Sequence, residues 1–105
     1  MIKMAQLEKI FLNDDENKKL ERVFINELSK MANETVMLRG WVHKITDLSH
    51  IVFVKLRDKS GIVQLVCDKD QIKNIRLENA IEVIGTKCEN EKAPGGIEII
   101  VDKIK

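Results

Sequence analysis

The stretch FVKLRDKSGIVQL, residues 53–65, has the pattern of two β-strands joined by a tight turn. Apolar and polar residues alternate on both sides of the turn, as on strands with one buried face. The segment DKSG is typical of a hairpin turn that pairs Asp58 with Gly61. In that register Lys55 lies opposite Gln64, on the face that should meet water. Phe53, an aromatic residue, falls on the same outer face, which requires an explanation.

Three more segments alternate like strands: TVMLRGWVHKI at 35–45, AIEVIGTKC at 80–88 and IEIIVDKI at 97–104. Gly40, in the middle of the first, predicts a bulge or a sharp bend. A short helix is predicted within the polar segment 69–78, and a loop at ENEKAPGG, 89–96. Five strands with a helix between the third and fourth predict an all-β fold over residues 34–105. The layout matches the five-stranded Greek-key barrel called the OB-fold, with another small β-barrel such as an SH3-like domain as the alternative.

Residues 1–33 are predicted to form a separate helical extension. Apolar residues there recur at helical spacing in two sets. The first set is Ile2, Met4, Leu7, Ile10 and Phe11, and the second is Leu20, Val23, Phe24, Leu28 and Met31. The polar segment NDDENKK separates the two sets.

Composition narrows the class of protein without naming a function. The 105 residues suffice for one small core, and the net charge of +1 does not favour or exclude a nucleic-acid partner. No apolar run reaches membrane-spanning length and no signal peptide is evident, so we expect a cytoplasmic protein with no membrane partner. Cys67 and Cys88 are expected to be reduced, and His43 and His50 have no third ligand nearby. We therefore expect no metal and no cofactor in this domain.

An exposed ring beside an amide and several cations is a plausible platform for single-stranded nucleic acid. Phe53 would stack on a base, and Gln64 would hydrogen-bond to the edge of that base. The OB-fold binds oligonucleotides on the face formed by its second and third strands, where this pair would lie. The alternative is that Phe53 packs under the N-terminal extension or against Trp41.

The segment RGWVHKITDLSHIVFVKLRDKSGIVQLVCD, residues 39–68, resembles the N-terminal anticodon-binding domain of the class IIb aminoacyl-tRNA synthetases. Within that class it is most similar to the aspartyl enzymes, especially the archaeal-type or non-discriminating ones. EKAPGGIEI, residues 91–99, resembles the loop and last strand common in the related asparaginyl enzymes and in some archaeal-type aspartyl ones. The resemblance covers roughly residues 22–105 and implies binding to the anticodon loop of tRNA for Asp, with tRNA for Asn as the second candidate.

The resemblance also implies roles for individual residues. Phe53 would stack on the middle anticodon base, a uracil, and Gln64 would hydrogen-bond to that uracil. Glu98 would accept hydrogen bonds from the first base, a guanine. Candidate phosphate or loop contacts are Lys44, Thr46, His50, Lys55, Arg57 and Lys59. Thr46 stands where many aspartyl enzymes carry a cation, and the loop with Asn90 and Lys92 is the nearest candidate for a third-base reader.

The resemblance covers only a binding module, so this chain alone is not expected to be an enzyme. The parent protein would be an aminoacyl-tRNA ligase that uses ATP and Mg²⁺ in a separate catalytic domain, and no catalytic residue is assigned here. The parent is expected to be a homodimer and the isolated domain a monomer. Two other functions stay open: a general single-strand-binding OB-fold, and an OB-fold for protein contact through Phe53 and Val66.

Overall fold

The computed structural model describes residues 20–105, in which five strands close into one barrel. The strands are β1 (Thr35–Asp47), β2 (Val52–Asp58), β3 (Gly61–Cys67), β4 (Ala80–Glu89) and β5 (Ile97–Ile104). Their order around the barrel is β1-β2-β3-β5-β4, and β4 pairs again with β1. Neighbouring strands are antiparallel except β3 and β5, which are parallel. The predicted five-stranded OB-fold barrel is confirmed.

The hairpin of β2 and β3 has the predicted register. Asp58 pairs with Gly61, Lys55 with Gln64, and Phe53 with Val66. The alternate residues of both strands are almost fully buried and form the centre of the core. Those residues are Val52, Val54, Leu56, Val63, Leu65 and Cys67. A period of two and a short turn were enough to specify this hairpin, because a slip of one residue would expose the whole apolar set.

The turn between β2 and β3 also anchors the chain that precedes the barrel. The buried Asp58 carboxylate accepts hydrogen bonds from the Ser60 hydroxyl (2.6 Å) and the Ile25 backbone N–H (2.9 Å). It also accepts from the backbone N–H groups of Ser60 and Gly61. Burial by itself would raise the pKa of Asp58, but these hydrogen bonds outweigh it and lower the pKa below 3.8. The turn and the preceding segment are thus joined through one carboxylate.

Residues 20–33 differ from the predicted helical extension. Arg22 forms a strand-like bridge with Met37, and a short 3₁₀ helix follows at Ile25–Lys30. Leu28 is 1% exposed and belongs to the barrel core, because this segment closes one end of the barrel. The buried Lys87 of β4 reinforces the closure by donating from Nζ to the Met31 carbonyl at 2.6 Å. The first predicted helical set, within residues 1–19, lies outside the described residues, and the domain boundary at 33/34 stays a prediction.

The connection from β3 to β4 is less helical than predicted for 69–78. A 3₁₀ helix covers only Lys69–Ile72, and turns follow. The Asn79 side chain accepts from the Arg76 backbone N–H at 2.9 Å, and Glu78 adopts φ 64°. Side-chain bonds of this kind compete with a helix for the backbone donors, which explains the early helix end. A third 3₁₀ helix, Pro94–Gly96, lies in the predicted loop before β5.

Strand β1 pairs with two different strands along its length. Its first half pairs with β4 and its second half with β2, and Trp41 has a partner on each side. The predicted bulge at Gly40 is misplaced: the register shift lies between Val42 and Lys44. Gly40 is required for a different reason, because a Cβ atom there would lie 2.4 Å from the Arg57 carbonyl oxygen. The glycine lets two backbones approach closely at the point where β1 changes partner.

Candidate nucleic-acid interface

Two rows of outward side chains cross the barrel over strands β1, β2, β3 and β5. Register partners in the first row, which we call the polar row, are Lys44, Lys55, Gln64 and Glu98. Register partners in the second, the apolar row, are Thr46, Phe53, Val66 and Ile100. The rows are two residues apart along each strand, or about 6.7 Å. Together they form one continuous outer face.

The three predicted base-contacting residues meet on this face. Gln64 and Glu98 are direct register partners on parallel strands, and Phe53 is diagonal to Gln64 on the antiparallel neighbour. Diagonal neighbours of this kind are about 7–8 Å apart at the backbone, within reach of an aromatic side chain and an amide. An aromatic ring, an amide and a carboxylate can therefore engage adjacent bases of one single strand. Their individual roles stay predictions.

The alternative packing partners of Phe53 lie elsewhere among the described residues. Trp41 is the register partner of Arg57, four residues along β2 from Phe53, and is 45% exposed. The described part of the N-terminal segment binds Asp58, five residues from Phe53, which corresponds to roughly 17 Å along the strand. Phe53 itself is half-buried, and Ile100 in the same row is 40% exposed. An apolar surface is thus available beside Gln64.

The Glu98 carboxylate is oriented by the loop that precedes β5. Asn90 donates from Nδ2 to Glu98 Oε1 at 3.3 Å, and its backbone N–H donates to the Gly96 carbonyl. Gly95 and Gly96 both have positive φ, which lets the loop turn back so that Asn90 reaches the start of β5. A carboxylate held on one side can present its other oxygen to a donor. Guanine offers two adjacent donors, N1–H and the exocyclic amino group, which suits such an acceptor.

Five of the six candidate phosphate or loop contacts lie in three separate places. Lys44, Thr46 and Lys55 lie on the outer face, next to the predicted base-contacting residues. His50 is exposed in the loop between β1 and β2, where its backbone N–H donates to the Leu48 carbonyl. Lys59 lies at the far turn, with Nζ 4.7 Å from the centre of the Phe24 ring. Their positions therefore favour Lys44, Thr46 and Lys55 as contacts of a nucleic-acid strand bound on the outer face.

Arg57, the sixth candidate, is already engaged within the protein. Its guanidinium makes two bonds to the Glu78 carboxylate, Nη2 to Oε1 at 2.8 Å and Nη1 to Oε2 at 3.1 Å. This pairing raises the pKa of Arg57 and lowers the pKa of Glu78. Nη1 also lies 3.1 Å from His43 Nδ1. The sequence interpretation missed Glu78 as the partner, since 21 residues separate it from Arg57.

The bulge at His43 is the other feature that sequence reasoning missed. His43 and Lys44 are both exposed, whereas Ile45 packs against the core. The break in alternation after Val42, with two successive polar residues before an apolar one, was the available signal. Without the extra residue, Lys44 would point into the barrel, so the bulge is what brings Lys44 and Thr46 to the outer face.

In residues 20–105 no helix is long and apolar enough to cross a membrane. Nor do those residues contain a group of three or more His, Cys, Asp or Glu side chains placed to hold a metal ion.

Comparison with known proteins identifies the family. Residues 36–105 match the tRNA anti-codon family, described as an OB-fold nucleic acid binding domain. The chain belongs to this family. An aspartate–tRNA(Asp/Asn) ligase from Methanopyrus kandleri is 45% identical over 80 residues, which cover 69% of this chain. An aspartate–tRNA ligase from Buchnera aphidicola is 42% identical over 84 residues, 70% of this chain.

The solved structure of one relative has a fold similar to that of this domain. The asparaginyl-tRNA synthetase of Pyrococcus horikoshii, complexed with asparaginyl-adenylate, superposes with a TM-score of 0.74 at 30% identity. The match covers 83% of this chain and 22% of the synthetase. In the two ligases the matched part is 19% and 14% of the length. The matched part therefore spans between 14% and 22% of the length of these relatives.

Proposed function

We propose that this domain binds the anticodon loop of tRNA as the anticodon-binding module of an aspartate–tRNA ligase. The observation that carries the proposal is the juxtaposition of Phe53, Gln64 and Glu98 on one outer face. Stacking on Phe53 is tolerant of sequence, since every base has a π-face. Selectivity must then come from hydrogen bonds to base edges, which single-stranded loops expose.

Each polar group suits a different base. The Gln64 amide has both a donor and an acceptor, which complement the O4 and N3–H of uracil. The Glu98 carboxylate only accepts, which complements the two donors of guanine. The two residues are adjacent, so the bases they bind are expected to be adjacent as well. Guanine followed by uracil is the first pair of bases in the anticodons for both Asp and Asn.

We propose that the module accepts the tRNAs for both Asp and Asn. The name of the Methanopyrus kandleri relative includes both tRNAs, and the Pyrococcus horikoshii neighbour is an asparaginyl enzyme. The first two anticodon bases, which Phe53, Gln64 and Glu98 would bind, do not distinguish these tRNAs. An asparaginyl-tRNA synthetase module is therefore the second candidate.

The proposal extends to the parent protein. We propose a ligase that uses ATP and Mg²⁺ in its catalytic domain, forms a homodimer and works in the cytoplasm. The domain described here would supply recognition only, and would be monomeric when isolated. Residues 34–105 would form the anticodon-binding unit, with residues 20–33 of the preceding region 1–33 packed against its core.

Fluorescence anisotropy with labelled anticodon stem-loops at one moderate salt concentration tests this function. The loops are those for Asp, Asn and Lys, and an Asp loop with its central uracil replaced by cytosine. We expect Asp and Asn loops to bind with similar affinity, and the cytosine loop to bind at least about tenfold more weakly, as for one lost base contact. Equal affinity for all four loops would favour a general single-strand binder. No binding to any loop would favour the protein-contact function.

A further inference from the structure

The bulge in β1 has a defined position, and that position matters for the outer face. Val42 pairs with Leu56 and Lys44 with Lys55, so His43 is the extra residue. Packing of Ile45 against the core requires that β1 contain a bulge somewhere before it. Core packing does not specify which residue is the extra one, because a bulge at Lys44 would leave Ile45 equally well buried.

Electrostatics alone would favour the other position. Lys44 and Lys55 are direct register partners, and like charges directly opposite each other destabilise a sheet. A bulge at Lys44 would relieve this repulsion by removing Lys44 from the register. The structure nevertheless keeps the two lysines side by side. Some other interaction must therefore hold the bulge at His43.

The residues around the bulge supply that interaction. Arg57 Nη1 donates to His43 Nδ1 at 3.1 Å, which requires the tautomer with the proton on Nε2 because arginine has no acceptor. The same guanidinium is held by both oxygens of Glu78, at 2.8 and 3.1 Å. Its Cζ lies 5.9 Å from the centre of the Trp41 ring. The guanidinium is thus fixed on three sides.

The backbone of the segment before β4 completes the arrangement. Glu78 donates its N–H to the Val42 carbonyl at 2.7 Å, and Val42 donates its own N–H to the Asn79 carbonyl at 2.9 Å. Both backbone groups of the residue just before the bulge are therefore bound to positions 78 and 79. Glu78 adopts φ 64°, which non-glycine residues rarely do. This conformation presents its N–H to β1 while its side chain reaches Arg57.

We propose that Arg57, His43 and Glu78 form a register clamp that holds the bulge at His43 and keeps Lys44 and Lys55 paired on the outer face. The two adjacent lysines form a doubly cationic site for the phosphate backbone of the bound strand. That second part rests on the proposed function. Arg57 acts as a positioning residue, through the two lysines, and not as a phosphate contact.

Disulfide trapping tests the clamp without any RNA. Cysteine pairs are placed at 44 and 55, or at 46 and 53 as a reference beyond the bulge, in the full chain with Cys88→Ser; the buried Cys67 is kept. Both pairs are register partners with the Cα separation that a disulfide needs, so we expect their oxidation rates to agree within about threefold. Arg57→Gln and Glu78→Gln should each slow oxidation of the 44/55 pair about tenfold relative to 46/53 as the bulge shifts to position 44. An unchanged ratio in both variants would overturn the clamp.

RNA affinity tests the role of the clamp, since the two accounts of Arg57 predict opposite signs for Glu78→Gln. If Arg57 bound phosphate directly, removal of its carboxylate partner would free the cation and strengthen binding. If the clamp positions the lysines, Glu78→Gln should weaken binding of the Asp stem-loop about threefold or more, although a negative charge is lost. Asp102→Asn, which removes an exposed carboxylate of β5 outside the clamp, should leave affinity unchanged or slightly raised.

The remaining outcomes are also decisive. Stronger or equal binding by Glu78→Gln would overturn the positioning role, even if the trapping ratio changed. If the clamp variants change the disulfide-trapping ratio but the unmodified protein binds no anticodon stem-loop, the clamp stands and the proposed function is refuted. Thermal unfolding of each variant verifies folding, and if Arg57→Gln does not fold, Glu78→Gln and His43→Ala carry the trapping test.

Discussion

Glu98 on β5 lies directly beside Gln64 on β3, although 34 positions separate them in the chain. The two strands run parallel, so both side chains point outward from adjacent backbones about 4.8 Å apart. Asn90 holds one oxygen of the Glu98 carboxylate. The pair therefore offers an acceptor next to an amide on an otherwise apolar and cationic face, which leads to the first prediction.

Glu98→Gln should reduce selectivity for guanine at the first anticodon position. A glutamine can accept only one of the two guanine donors and adds a donor that adenine could use. We expect the preference for guanine over adenine at this position to fall about tenfold, as for the loss of a charged hydrogen bond. Competition anisotropy with the two loops measures it. Asp102→Asn is the matched control, and an unchanged preference in Glu98→Gln would exclude Glu98 as the reader.

Phe53→Ala should weaken binding of the Asp stem-loop by about 1–3 kcal/mol, the usual contribution of one base stack. Phe53→Trp should retain most of the affinity, because the larger ring still offers a stacking face. Ile62→Ala is the control, since Ile62 is an exposed apolar residue on the same hairpin, next to Arg57. Equal effects of the two alanine substitutions would mean that Phe53 contributes only apolar packing.

The salt dependence of binding should separate the candidate phosphate contacts. Each lysine that neutralises a phosphate of single-stranded RNA contributes about 0.7 to the slope of log affinity against log salt. We expect Lys55→Gln and Lys44→Gln each to reduce the slope by that amount, because both lie on the outer face. Lys59→Gln should leave it unchanged, because Lys59 lies at the far turn over Phe24. A slope change only in Lys59→Gln would place the RNA backbone near the turn.

Asp58→Ala should lower the free energy of unfolding by about 2–4 kcal/mol, since one buried and three partly buried donors would lose a charged acceptor. The pKa of Asp58 in the folded state is below its ordinary value of 3.8. Its stabilising effect is therefore complete above pH 3.8 and is lost as pH falls through the lower folded-state value. Urea titrations from pH 7 to pH 2 should show a smaller acid-dependent loss in Asp58→Asn than in the unmodified chain. Identical pH profiles would assign the acid sensitivity to other carboxylates.

Gly40→Ala should be strongly destabilising, because its Cβ would lie 2.4 Å from a backbone oxygen that cannot move without breaking the β1–β2 pairing. We expect a loss of about 3 kcal/mol or a failure to fold. Gly61→Ala is the control, since its nearest contact would be an ordinary 3.6 Å from an Ile25 methyl group. Thermal unfolding measures the stability of both variants, and equal stability would show that the barrel can widen at Gly40.

The short-range features of the fold were predictable from the residues themselves. Alternation and turn length determined the β2–β3 register, and with it the position of Phe53 diagonal to Gln64, because a slip of one residue would expose Val54 and Leu56. The number of strands followed from the same period, and so did the buried faces of β2, of β3 and of β1 as far as Val42. The motif of residues 39–68 also indicated the family. These features depend on contacts between near neighbours in sequence, which a local pattern records.

Only the tertiary structure decided which distant segments meet. Barrel closure placed β5 beside β3 and so brought Glu98 to Gln64. It also brought Glu78 to Arg57, and the bulge at His43 turned Lys44 outward. An alternating pattern specifies which face of a strand is buried but carries no information about its neighbour. That choice depends on the closure of loops and on packing of the whole core, which no single segment of the sequence contains.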